Sequence, residues 1–157
     1  MVTKVIFQEA CLDQLSSAGK DFFDRELLLE KQTLKSVNKM ICDSSNDGVK
    51  LYIVSGFRSY EYQQSIIDRK LENGQLIEDI KKVNALPGQS EHHTGRAVDF
   101  TTSDESEVLT ECFDQTEAFV WLTKNAHKYN FFMSFPRNNK YGFIYEPWHW
   151  CYNNENN

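Results

Sequence analysis

The chain has 157 residues, 40% apolar and 13% aromatic, and a chain of this length buries roughly 70% of its unfolded surface, enough for one domain with its own core. Seventeen basic against twenty-three acidic residues leave a formal net charge of −6, which argues against a nucleic-acid partner or an anionic membrane surface, since counterion release requires clustered Lys and Arg. The N-terminal MVTKVIFQEACLDQLSS holds only a three-residue apolar run, Val5 to Phe7, and later runs such as AFVWL are short, so a secretory signal and membrane insertion are not expected and a cytoplasmic location is.

In chain order, residues 22–42 place Leu27, Leu28, Leu34, Val37, Met40 and Ile41 at helical spacing, predicting an amphipathic helix that the turn SSNDG stops. LYIV at 51–54 reads as a short buried strand broken by SGFRS. YEYQQSIIDRKLEN at 60–73 predicts a helix with Tyr62, Ile66 and Ile67 on one side, ended by Asn73-Gly74, and QLIEDIKKVN predicts a second short helix. ALPGQSEHHTG is a loop by its Pro, Gly and Ser content, and RAVDFTT alternates as a strand does. TEAFVWLTKNAHKYN predicts a helix ending at Asn130, a residue that tolerates the left-handed conformation. FFMSF and FIYEPWHWCY, separated by PRNNKYG, predict two further strands, with Trp148 and Trp150 as core or pocket wall. Helices and short strands without a regular βαβ rhythm point to an α+β fold with a small antiparallel sheet flanked by helices. One domain is expected over 1–152, with the polar NNENN of 153–157 as a disordered tail. The four cysteines, Cys11, Cys42, Cys112 and Cys151, contain no C-x-x-C pair and are expected to be free thiols acting as small buried hydrophobes.

Two segments concentrate metal-binding chemistry: SEHHTGRAVD, with His92, His93 and Asp99, and EPWH, with Glu146 and His149. Catalytic zinc takes three protein ligands and keeps a position for water. His92, Asp99 and His149 would supply two imidazoles and a carboxylate, Gly95 would let the chain turn between the first two, and Glu146 would remain as a general base. Spacing alone does not establish that they meet. His93 competes with His92, the helical motif H-E-x-x-H is absent, and in an ideal strand Glu146 and His149 would face opposite sides, so a local twist or bulge is needed. His127, within the predicted helix, reads as a partly exposed packing residue.

S-x-H-x-x-G-x-A-x-D is present in full as Ser90, His92, Gly95, Ala97 and Asp99, E-P-W-H as Glu146 to His149, and S-G-[FY]-R-S as Ser55 to Ser59. In this order the three blocks resemble the VanY-type D-alanyl-D-alanine carboxypeptidases, part of a wider zinc group that includes lysostaphin-like peptidases and the hedgehog signalling domain. The resemblance covers about residues 50 to 152, the motif-bearing core. It implies one zinc ion per chain on His92, Asp99 and His149, Glu146 as catalytic base, and Arg58 as the residue that polarises the scissile carbonyl. Ser90 and Gln63 match substrate-contacting positions, and His93 falls outside the ligand set. The implied partner is a peptidoglycan-derived peptide, with removal of a terminal D-alanine by D,D- or L,D-cleavage. Two alternatives are an endolysin of phage type cutting L-Ala-D-Glu within the stem, and a zinc-binding recognition module without activity, of hedgehog type. Glu146 and Arg58 speak against the latter, because a pure binding site needs neither. Cys151 stands where the family often has arginine, the link from Phe135 to Tyr145 is short, and a further helical segment common in the family is missing after Cys151. These departures bear on the rim that sets substrate choice.

Overall fold

Four antiparallel strands in the order β3-β4-β6-β5 form the central sheet, and a separate hairpin, β1-β2, packs beside it. The computed structural model describes residues 5–155; residues 156 and 157 of the expected tail lie outside the described residues. The strands are β1 Leu15–Lys20, β2 Glu26–Glu30, β3 Tyr52–Ser55, β4 Ala97–Thr101, β5 Phe131–Met133 and β6 His149–Tyr152, and the helices α1 Lys31–Asn46, α2 Tyr60–Glu72, α3 Ile77–Val83 and α4 Glu117–Asn125. This is the α+β architecture expected from the sequence. Among the described residues no helix is long and apolar enough to cross a membrane.

The segment expected to be one helix over 22–42 divides in two. Asp21 accepts the backbone N–H groups of Phe23 and Arg25, which turns the chain. Leu27 and Leu29 are then buried while Leu28 is only half-buried, a period-two pattern that belongs to a strand. The Glu30 carboxylate accepts the N–H groups of Gln32 and Thr33 at 3.1 and 3.0 Å, so α1 starts only at Lys31. From there Thr33, Val37, Met40 and Ser44 are buried at helical spacing. In α2 the buried residues are Gln63 and Ile67, whereas Tyr62 is exposed. The expected strand over 143–152 pairs only from His149, because Pro147 has no N–H and the preceding residues form a turn. α4 gives way to a tighter turn that closes on Asn130 in the left-handed conformation (φ +61°), as its sequence allows. The cysteines are free, but Cys11, Cys42 and Cys112 are exposed and Cys151 half-buried: three of the four lie on surface turns or helix faces rather than in the core.

The core gathers Leu27, Leu29, Val37, Met40, Phe100, Phe113, Leu122, Phe131, Trp148 and Trp150 between the sheet, α1, α4 and the hairpin. The hairpin also braces the segments that carry the polar motifs. Phe57 donates its N–H to Leu28 O and Glu30 donates to Gly95 O, both at 2.9 Å. Gly56 permits this approach: a Cβ there would lie 2.7 Å from Leu27 Cδ1 and 2.9 Å from Leu28 O.

Candidate metal centre

β4 and β6 pair so that Asp99 stands directly opposite His149. Residues opposite each other in an antiparallel pair project to the same face, so register alone brings these side chains together. His92 arrives from the single turn Glu91–Thr94, where the Ser90 hydroxyl accepts the His92 N–H at 3.2 Å. Gly95 then reverses the chain into β4 at φ +72°, a conformation that disfavours residues with a Cβ. His92 Nε2 lies 3.2 Å from Asp99 Oδ2, and His149 Nδ1 lies 3.0 Å from Asp99 Oδ1. All three residues are buried.

The donor chemistry fits a metal ion. The three ligand atoms lie within 4.8 Å of one another, and neighbouring ligands on a tetrahedral zinc are about 3.3 Å apart. The far nitrogen of each imidazole is already engaged. His92 Nδ1 donates to Gly56 O at 2.7 Å, and His149 Nε2 meets Glu91 Oε2 at 2.9 Å. Those bonds fix the tautomers so that His92 Nε2 and His149 Nδ1 turn their lone pairs to a common point, the arrangement that outer partners impose on metal-bound histidines. Glu91 in turn accepts a hydrogen bond from the Ser134 hydroxyl at 2.6 Å. Burial works against its charge, but the bonds from His149 and Ser134 prevail and keep the carboxyl below its ordinary pKa.

Glu146 reaches the centre through a turn rather than a strand bulge. His149 donates its N–H to Glu146 O at 3.2 Å, which folds the E-P-W-H segment back and leaves Glu146 Oε2 3.8 Å from His149 Nδ1. Burial pushes the Glu146 carboxyl up to about 7, where it can take and return a proton near neutrality. Arg58, on the turn after β3, points one guanidinium nitrogen at Asp99 Oδ2 (3.3 Å), a second at Ser55 Oγ (3.0 Å) and the third at Gln63 Oε1 (3.5 Å). Gln63 is buried on the first turns of α2 and donates its amide to Ala85 O at 2.7 Å. Ser90 lines the same cleft as Glu146, Arg58 and the three buried residues; the cavity measures about 300 Å³.

His93 turns away from this group: its Nδ1 donates to Arg58 O at 2.7 Å and its Nε2 accepts the Gly88 N–H at 3.0 Å. It ties the arginine turn to the loop before Ser90. His127 is exposed on its helical turn. Two residues of the cleft escape a reading by motif. Glu91 sits inside S-E-H-H, and its acidity beside two histidines was the available signal. Lys70, also a cleft residue, carries no signal beyond its place seven residues after Gln63.

The family model for D-alanyl-D-alanine carboxypeptidase (VanY) matches residues 26–155. YodJ of Bacillus subtilis (strain 168), which carries a provisional carboxypeptidase name, is 34% identical over 127 residues, covering 79% of this chain; the chain spans less than half (46%) of that relative's length. Among solved structures, the LdcB LD-carboxypeptidase superposes with a TM-score of 0.79 at 29% identity, covering 93% of this chain and 69% of its own. A vancomycin-resistance D,D-pentapeptidase VanY, crystallised with Zn(II), shares the fold with a TM-score of 0.67 at 23% identity, covering 95% of this chain and 87% of its own.

Proposed function

This chain belongs to the VanY family of D-alanyl-D-alanine carboxypeptidases, and we propose that it is a zinc-dependent carboxypeptidase that removes the terminal D-alanine from a peptidoglycan stem peptide. The observation that carries this is the convergence of His92, Asp99 and His149 with an uncoordinated carboxylate, Glu146, and a guanidinium, Arg58, in one cleft. A site that only stored metal would need neither of the last two.

His92, Asp99 and His149 would hold one zinc ion. Bound zinc supplies Lewis acidity at this end of the cleft and makes a water acidic near neutral pH. Glu146 accepts the proton of the attacking water and passes it to the departing amine, a service worth ~10²–10⁴ in rate. Arg58 donates to the carbonyl oxygen as negative charge grows there, contributing roughly 3–4 kcal/mol to the transition state. Its guanidinium is already oriented by Asp99, Ser55 and Gln63, so little ordering remains for the reaction step. Gln63 therefore serves mainly to position Arg58 and the Ala85 segment, while Ser90, whose hydroxyl proton is free, faces the substrate.

The LdcB similarity supports a peptidoglycan peptide as substrate, either the L,D-bond of a tetrapeptide or the D,D-bond of a pentapeptide. The test is to incubate zinc-loaded protein with tri-, tetra- and pentapeptide stems and identify products by mass spectrometry. Loss of a single D-alanine from a free-ended stem is expected. A fragment beginning at D-Glu would instead establish an endopeptidase that cuts within the stem.

A further inference from the structure

Gln63 and Lys70 of α2 both line the cleft, and with the buried Ile67 between them they are spaced four and three residues apart and so lie in one stripe of the helix. Arg58 stands just before this helix. Helical side chains tilt towards the N-terminus, so Lys70 reaches back along the stripe towards Gln63 and Arg58. Most unpaired lysines of this chain, such as Lys20, Lys31 and Lys50, do not line this cleft. Lys70, among the described residues, has neither an ion pair nor a hydrogen bond from its ammonium group, although it lies half-buried in a cleft.

Burial, and then the charge of Arg58, hold the Lys70 ammonium below the ordinary lysine pKa. The acidic groups nearby do not answer it: Asp99 is taken by Arg58 and the two imidazoles, and Glu91 by His149 and Ser134. Glu146 lies at the metal end, 3.8 Å from His149. Val83, Leu109 and Ile144 also line this cleft, and apolar neighbours strengthen a charge–charge contact made among them. Two cations in one cleft, one of them unpaired, call for an anion supplied by the ligand. Gln63 has one of its two amide N–H groups engaged by Ala85 O and carries no charge, so it can assist but not neutralise such an anion.

We propose that Lys70 is the specificity-determining residue that reads the free carboxylate at the C-terminal end of the substrate. The inference rests on the carboxypeptidase reading of the site. It makes the cleft an exopeptidase site by charge: Arg58 takes the scissile carbonyl, and Lys70, further along α2, takes the carboxylate one residue beyond.

The test compares the zinc-loaded protein with its Lys70→Met and Lys70→Arg variants on one stem peptide with a free or an amidated end. Lys70→Met is expected to lower kcat/KM for the free acid by about tenfold or more, chiefly through KM, as for a lost hydrogen bond to a charged group. The preference for free acid over amide should shrink by the same factor, and Lys70→Arg should restore most of it. An unchanged preference in Lys70→Met, or an equal loss on both peptides, would overturn the assignment. If the unaltered protein cleaves neither peptide, the carboxypeptidase reading itself fails. Calorimetric titration of metal-loaded Glu146→Gln protein, with and without Lys70→Met, then decides the residue's role separately. A preference for the free acid that depends on Lys70 would uphold carboxylate binding, and equal affinities for acid and amide would overturn it.

Discussion

Replacing Glu91 by glutamine tests how the centre is built, because it changes one charge and almost no volume. Glu91 Oε2 lies 2.9 Å from His149 Nε2 and 2.6 Å from Ser134 Oγ, in a half-buried position. As a carboxylate it can only accept, so it holds the His149 proton on Nε2 and leaves Nδ1 free for a metal. A glutamine can present either its oxygen or its NH₂ group to His149, and it brings no negative charge to raise the basicity of the ring. Loss of such an outer partner typically weakens metal binding tenfold to a hundredfold, about 1.4–2.8 kcal/mol. The assay is zinc competition against a chelator of known affinity, with thermal melts of both metal-free proteins as the control for folding. Ser134→Ala, which removes a bond to Glu91 but not its charge, is expected to cost less than Glu91→Gln. Zinc affinity within twofold of the unaltered protein in Glu91→Gln would refute the account of how His149 is held.

Two further outcomes are expected. Glu146→Gln should keep its zinc and its fold while kcat/KM falls by about two to four orders of magnitude, read from D-alanine release and metal analysis; near-normal turnover would give the base role to another group. His93→Ala should also keep its zinc, in contrast to His92→Ala and His149→Ala. It should lose about 2–4 kcal/mol of stability in urea unfolding, because Gly88 N–H and Arg58 O both lose their partner.

The sequence led to the side chains of the site more surely than to the elements that carry them. Gly95 announced a reversal between His92 and Asp99, and the alternation of RAVDFTT announced β4, so local chemistry put two of the three candidate ligands on their elements, while the choice of His92 over His93 came from the family resemblance. The turn at Glu146 was legible only as a difficulty: Pro147 and the wrong strand parity required some departure, and the His149 N–H to Glu146 O bond supplied it. The hairpin was not legible. Three consecutive leucines satisfy helical spacing with Leu34 and Val37 as well as they satisfy a strand, and only pairing with β1 selects the strand. Glu91 and Lys70 escaped for a related reason. Each takes its setting from a group met only in the fold, His149 for one and the Arg58 guanidinium for the other, and no local pattern encodes that proximity.

The central claim is that one metal ion on His92, Asp99 and His149 is required for D-alanine release. Its most direct test is to strip the protein of metal with a chelator, add zinc back in steps, and follow D-alanine release from a free-ended stem peptide. The rate should start near zero, rise linearly, and break sharply at one equivalent per chain, with no rise in a His149→Ala variant. Full activity in the metal-free protein, or a normal titration in His149→Ala, would contradict it.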